Sequence, residues 1–401
     1  MLVNFQREYN IHKILLSSSG LWPYQSKLIS CLFLIPLLVN AIFYNLLEIL
    51  MLYDYWEDMN IVFDACYQIF ALTSIAGRIF NMFWNREQIK RICEAIDNHW
   101  NIFTSKLEVQ ILNDYSIMSR KLTTTYSMIV YAILILFILT PLTPVFLDMI
   151  HPLNKSRSRL FPLTAKFRID DEKYYTQLYC WIASMVTIMI FAMVAVDNFF
   201  LVSIIHAYSL FSIISRQLEE IITKLYVNKD RKFGCCMNTK LELENERIYQ
   251  KYIISLKKYQ LALEFVDMLN SAYKIISLFS LLLSGAILIF AGIQVTNVLE
   301  QLGEVMRYTF VIVGNLMQLM LSCYAGQKLR DISQNVFYRA YTAKWYEFPP
   351  KLKSLLIITL FRSAAPCSLT AGNMIPLSIE TYGLVVRTAG SYFMTFLSLK
   401  K

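Results

Sequence analysis

Seven separate apolar runs of about 20 residues or more punctuate this chain, and they constrain its fold more than any short motif could. A helix needs about 20 residues to cross the hydrocarbon of a bilayer, and within lipid only helices or closed barrels satisfy their own backbone. The runs are 28–52, broken only by Glu48; 61–84, carrying Asp64 and Arg78; 126–147; 174–196; 275–299; 308–327; and 375–399, interrupted by Glu380 and Arg387. The expected fold is all-α, a polytopic membrane protein with seven transmembrane helices. Composition agrees, since 17% of residues are charged and 56% hydrophobic, where soluble domains run nearer a quarter charged. The first 27 residues hold Arg7, Glu8, His12, Lys13 and Lys27 and no apolar core of a cleavable signal, so the first long run is itself a span.

The net charge of +9 does not point to nucleic acid, because the basic residues lie in loops between apolar runs. There they act as orientation signals and contacts to anionic membrane lipids. With a cytosolic N-terminus, the inner segments 1–27, 85–125, 211–270 and 328–362 carry 26 Lys and Arg, and the outer segments carry 8. The positive-inside rule then favours a cytosolic N-terminus and an extracellular C-terminus. The only glycosylation sequon, Asn154-Lys155-Ser156, falls outside on this topology, where glycosylation occurs.

The remaining charges suggest no reaction. Arg78, Lys274 and Arg307 lie within a turn or two of a helix end, and the expectation is that they snorkel to the interface. Asp64 and Asp197 also lie near helix ends or extensions. His12, His99, His151 and His206 are scattered. No nucleophile–base pair, HExxH or phosphate-binding glycine loop occurs, so neither an enzyme nor a cofactor or metal site is expected. The eight cysteines form no CxxC pair, and a disulfide framework is not expected.

The last span differs from the rest. At about 100° per residue, Glu380, Leu384, Arg387, Ser391, Thr395 and Ser398 share roughly a quarter-circle, while Tyr382, Val386, Phe393, Phe396 and Leu397 project the other way. Hydroxyls can sit against a neighbouring helix by bonding back to the backbone. They can equally line a water-filled pathway between subunits, with Glu380 and Arg387 guarding its inner end. The preceding stretch, 328–374, alternates basic and apolar residues and reads as an amphipathic helical platform suited to subunit assembly. Four parts result: a cytosolic segment 1–27, a six-helix bundle 28–327, anchor helices 328–374, and a seventh helix 375–401.

Several motifs occur in order along the last 65 residues: Lys344-Trp345-Tyr346, Leu355-Leu356-Ile357-Ile358, Arg362-Ser363, Pro366, Leu369-Thr370-Ala371-Gly372, Pro376-Leu377-Ser378 and Ser391-Tyr392-Phe393. Gly20-Leu21-Trp22-Pro23 precedes the first span. In these features the chain resembles the insect odorant receptors, seven-span ligand-gated cation channels. The resemblance implies four subunits around a pore lined by the last helix, here Glu380, Arg387, Ser391, Thr395, Ser398 and Leu399. It implies partnership with a shared odorant co-receptor in the plasma membrane of olfactory sensory neurons. The 211–270 segment lacks the co-receptor's long insertion, so this chain resembles a ligand-selective tuning subunit. Thr395 stands where the family often has an aliphatic gate residue, with Leu399 one turn on.

The resemblance also places a small, hydrophobic, volatile ligand in the outer half of the bundle. Carried onto this chain, that location selects Tyr67, Phe70 and Ser74 on the second span and Phe137 and Thr140 on the third. On the fourth it selects Trp181, Met185 and Met189, on the fifth Phe290 and Gln294, and on the sixth Met306 and Phe310. Such a lining suits dispersion and shape over hydrogen bonding; aromatic and Met stripes also serve as ordinary packing. A gustatory-type receptor channel is the alternative, although the ending lacks its Thr-Tyr…Gln-Phe pattern. A G-protein-coupled receptor would need the opposite topology and Asp-Arg-Tyr and Asn-Pro-x-x-Tyr motifs absent here. A transporter would show internal repeats, and none is found.

Overall fold

The computed structural model describes residues 2–144, 160–164, 173–230, 238–299, 301–342 and 345–400. The described residues fold into ten α-helices, two 3-10 turns (Thr140–Leu142 and Trp345–Glu347) and one short hairpin. The helices are α1 (Val3–Ser18), α2 (Lys27–Asp54), α3 (Met59–Trp84), α4 (Arg86–Ile102), α5 (Lys106–Leu139), α6 (Tyr175–Asp230), α7 (Asn238–Asn297), α8 (Leu302–Tyr341), α9 (Pro350–Ser363) and α10 (Ile379–Lys400). The hairpin pairs β1 (Thr370–Ala371) with β2 (Ile375–Pro376).

Local chemistry sets several of these boundaries. Ser26 caps α2 by accepting from the Ile29 amide, and Asp58 caps α3 through the Asn60 amide. Ser105 and Glu108 form a reciprocal capping box at α5, satisfying donors that a helix start leaves unpaired. Gly20, at φ +71°, turns the chain between α1 and α2 in a conformation other residues disfavour.

Six helices, α2, α3 and α5–α8, contain stretches long and apolar enough to cross a membrane. At 22 residues, α10 is about 33 Å long and is the seventh. The most apolar stretch of α6 is 72% buried, against 22% for α2, α5, α7 and α8. Hence α6 is the central helix, while faces such as Leu28, Leu32, Ile35 and Val39 of α2 are exposed as lipid contacts require. Helix α3 packs chiefly on α7, α5 on α6, and α8 on both α6 and α7. Helices α5–α8 outrun a bilayer and, together with α1, α4 and α9, build a second body at one end. Its core includes Phe5, Trp22, Ile92, Phe211, Phe265 and Leu356.

Three expectations are corrected here. The platform 328–374 is not continuously helical. Helix α8 runs unbroken to Tyr341, a 3-10 turn covers Trp345–Glu347, α9 covers 350–363, and the hairpin lies within 370–376. Gly372 and Asn373 both adopt positive φ, which ends any helix there. Nor does the seventh helix begin at 375: Ile375–Pro376 is a strand, and Ser378 caps α10 by accepting from the Thr381 amide at 3.1 Å.

The third correction concerns the buried charges. Arg78 and Arg307 do not snorkel. They are 6% and 2% exposed and are held by acidic partners on other helices; Lys274 alone is partly exposed. The histidines are not all scattered either. His99 of α4 and His206 of α6 stack at 5.3 Å, with their ring nitrogens 3.1 Å apart.

Candidate functional site

An apolar chamber of about 170 Å³ lies between α3, α5, α6 and α8. Its wall is built from residues that face inward at helical spacing: Ala71 and Ile75 of α3, Leu134 of α5, Val186 and Met193 of α6, and Val311 of α8. Four residues expected from the sequence do line it: Tyr67, Ser74, Phe137 and Phe310. Met185 and Met189 pack just behind, in the same apolar cluster as Phe137 and Leu163, with Trp181 at the cluster's edge. The Trp181 indole donates to Asn40 Oδ1 at 3.2 Å.

The remaining expected residues lie elsewhere. Phe70 and Phe290 pair at 5.7 Å on the side of α3 and α7 that faces α10, where Phe63 bridges Phe290 to Phe396. Gln294 donates to the Asn60 carbonyl at the α3 N-terminus. Thr140 returns its hydroxyl to the Leu136 carbonyl at 2.7 Å. Met306 is exposed. Asn154 lies outside the described residues.

Each end of the chamber is polar. At one end Asp64 gathers Gln68, Thr164, Arg307 and Tyr308. Arg307 Nη2 sits 3.2 Å from Asp64 and 2.7 Å from Glu304, and Gln68 Nε2 reaches Asp64 at 3.1 Å. This ties the segment 160–164 over the chamber, with Leu163 in its wall. About 21 Å along α3 from Asp64, by its rise, Arg78 marks the other end. Its Nε donates to Ser280 at 3.2 Å and its Nη2 to Ser74 at 3.1 Å. Its Nη1 stands 3.7 Å from Asp197, whose Oδ2 takes the Tyr126 hydroxyl at 2.8 Å. Arg78 also borders a second cavity of about 50 Å³, which Ser277, Ser280 and Gln318 share and which ends on Leu377.

Leu377 is the root of α10. Gly326 of α8 presses so close there that a Cβ would fall 2.3 Å from the Leu377 carbonyl oxygen. The hairpin before it is pinned by two long helices. Asn270 of α7 accepts from the Thr370 amide at 2.9 Å, Lys274 accepts from Gly372 at 2.8 Å, and Ser333 of α8 accepts from Cys367 at 3.0 Å. Beyond the root, Tyr382, Val385, Val386 and Phe393 turn inward, whereas Glu380, Arg387, Ser391, Thr395 and Ser398 are exposed. The Thr395 and Ser398 hydroxyls bond back to their own helix, at 3.0 and 2.7 Å. Leu399 is in the helix, with its side chain outside those described. Among the described residues no group of three His, Cys, Asp or Glu side chains could hold a metal ion, and the six described cysteines are free.

The sequence reading missed Arg78, Asp197, Gln318 and Gly326. The usable signal was a basic and an acidic residue inside different spans, each costly in lipid unless matched.

Fold and site together define a multi-pass helical membrane receptor: an apolar chamber within a helical bundle, and one helix with an uncovered polar face. The profile of the family described as "7tm Odorant receptor" matches residues 58–390, and the chain belongs to that family. It is similar to Odorant receptor 10 of Aedes albopictus, 26% identical over 153 residues, 37% of this chain and 40% of that one. It is also similar to Odorant receptor 63a of Drosophila melanogaster, 24% identical over 243 residues, 59% of this chain and 52% of that one. The match thus spans about half or less of these relatives' lengths. In fold it is similar to the insect olfactory receptor OR5 from Machilis hrabei solved in complex with eugenol. The TM-score there is 0.79 at 11% identity, covering 99% of both chains.

Proposed function

We propose that this chain is the ligand-selective subunit of an odorant-gated, non-selective cation channel. A small apolar odorant occupies the chamber, and α10 forms one stave of a pore shared by four subunits, some of them a co-receptor. The observation that carries this reading is the uncovered polar face of α10, from Glu380 to Ser398, in a bundle that holds an apolar chamber. Exposed hydroxyls and charges along a whole span are costly against lipid and are satisfied by water in a shared pore. The pore face would comprise Glu380, Arg387, Ser391, Thr395, Ser398 and Leu399. The loop charges support a cytosolic N-terminus and an extracellular C-terminus, and membership of the odorant receptor family supports a place in the plasma membrane of olfactory sensory neurons. The parts 1–27, 28–327, 328–374 and 375–401 then serve as cytosolic entry, receptor bundle, assembly anchor and pore helix.

Gating follows as a shift of populations: ligand bound in the chamber favours the state in which the α10 helices stand apart. The test is current recording from cells expressing the chain with and without an odorant co-receptor. Ligand-evoked cation current is expected, with permeability ratios altered by Thr395→Asp. Unchanged ratios with normal surface expression would remove α10 from the pore.

A further inference from the structure

Most polar groups along the chamber wall are engaged or sealed off. Gln68 is bonded through its amide nitrogen to Asp64 and Thr164 and through its oxygen to Tyr44 at 3.1 Å. The Ser74 hydroxyl holds Arg78, and the Tyr126 hydroxyl donates to Asp197. The Tyr67 hydroxyl and Arg78 Nη1 make no hydrogen bond but are occluded, the latter against Asp197. Gln318 turns its amide nitrogen toward Asp197 at 3.4 Å.

Asn315 differs. It belongs to the lining stripe of α8, with Val311, Gly314 and Gln318, whose spacing keeps them on one side of a helix. Its Nδ2 donates to the Ser284 carbonyl of α7 at 2.9 Å. A carbonyl only accepts, so this bond fixes which way round the amide lies. The Asn315 Oδ1 then has no hydrogen-bond partner among the described residues and is not occluded. Beside it Gly314 leaves room, since a Cβ there would meet nothing within 4 Å.

An open amide oxygen is matched by a donor. A ligand O–H bonds to it, whereas an ether oxygen in the same place would set two acceptors face to face and leave both unpaired. A protonated amine also donates, but no free carboxylate balances it: Asp64 is held by Arg307 and Asp197 by Arg78. An unbalanced buried charge is costly. Size is set by the chamber: a dry cavity of about 150 Å³ accommodates benzene, so about 170 Å³ takes a molecule of roughly six to nine heavy atoms.

We infer that Asn315 selects ligand chemistry in this chamber, its side-chain oxygen accepting from one neutral hydroxyl on a small, otherwise apolar molecule: an alcohol or a phenol. The inference rests on the ligand-gated reading above and deepens it. Ser284, which Asn315 holds, is followed by Gly285, and Gly285 lies against Val385 of α10. The residue that reads the hydroxyl is thus bonded to the turn of α7 on which α10 packs.

The test compares isomers that differ in whether the oxygen carries a hydrogen: benzyl alcohol and 4-methylphenol with anisole, and 1-hexanol with 1-methoxypentane. Half-maximal concentrations are read from currents of the co-expressed complex, with surface expression measured alongside. Hydroxyl members are expected to be at least about tenfold more potent than their ether isomers. The ratio should fall toward one in Asn315→Leu, which matches the amide in size and takes no hydrogen bond. It should persist in Gln318→Met. Equal potency in the wild type overturns the inference, as does a ratio that survives Asn315→Leu or collapses instead in Gln318→Met. If Asn315→Leu fails to reach the surface, Asn315→Ala gives the same reading, and the wild-type ratio decides the ligand class in either case. No current from any compound, with the complex at the surface, defeats the channel reading and this inference with it; current at equal potencies defeats this inference alone.

Discussion

Gly326 offers a sharp perturbation of the contact between the bundle and α10. In Gly326→Ala the new methyl would lie 2.3 Å from the Leu377 carbonyl oxygen and 2.6 Å from its Cβ. Ordinary C···O contacts are about 3.3 Å or more, so α8 and the Leu377 turn must part by about 1 Å. Both obstacles are at or next to the backbone, and no flexible side chain can yield in their place. Overpacking of this kind costs about 1–3 kcal/mol, offset by about 1 kcal/mol of improved helix propensity. A net loss of up to about 2 kcal/mol remains. Gly314→Ala on the same helix is the control: a Cβ there meets nothing within 4 Å, so only the gain of about 0.5–1 kcal/mol applies. Thermal unfolding of the detergent-solubilised protein, followed by size-exclusion fluorescence, should rank Gly326→Ala below wild type and Gly314→Ala at or above it. Ligand-evoked current per surface subunit should also fall in Gly326→Ala, because the root of α10 is displaced. Equal melting temperatures for the two variants would refute the reasoning.

Three further outcomes follow from other parts of the molecule. Gly314 lines the chamber, so Gly314→Leu should fill it and abolish responses to the larger members of an odorant panel, read as lost current at normal surface expression. Burial holds the His99 imidazole down from its ordinary 6.5 to about 4. The unfolded chain therefore takes up a proton that the folded chain refuses. The contribution of His99 to stability is complete above pH 6.5 and is lost as pH falls toward 4, by about 3 kcal/mol in all; His99→Phe should flatten the melting profile over that range. An extracellular 149–173 loop predicts that glycosidase shifts the gel mobility of the wild type and leaves Asn154→Gln unchanged. A wild type that never shifts would count against that topology.

Hydropathy made the spans legible because a membrane demands length and apolarity from each helix separately, and the polar stripe on α10 was legible from its own periodicity. The chamber was legible only in part. Tyr67, Ser74, Phe137 and Phe310 line it, but Phe70 and Phe290 are just as aromatic and lie about 60° round α3 and α7 from Tyr67 and Ile287, on the side that faces α10. Which face looks inward depends on how each helix is rotated against its neighbours, and no single helix encodes that. The buried charges were misread for the same reason. Arg307 looks like a snorkelling residue in its own helix, yet its partner Asp64 is 243 residues away. The hairpin at 370–376 was hidden by amphipathic neighbours, although Gly372, Asn373 and Pro376 each disfavour helix.

The pinned hairpin gives α10 the mechanics of a lever. One end is clamped through Asn270, Lys274 and Ser333, while the far end rests on looser aromatic contacts such as Phe396 against Phe63. Over a helix about 33 Å long, a tilt of about 5° at the clamp moves the tip by about 3 Å, comparable to the width of a water molecule. Adjustments around Gly326 and Leu377 too small to disturb the bundle would thus be magnified at the far end. Movement is therefore cheapest at the end of α10 farthest from the clamp.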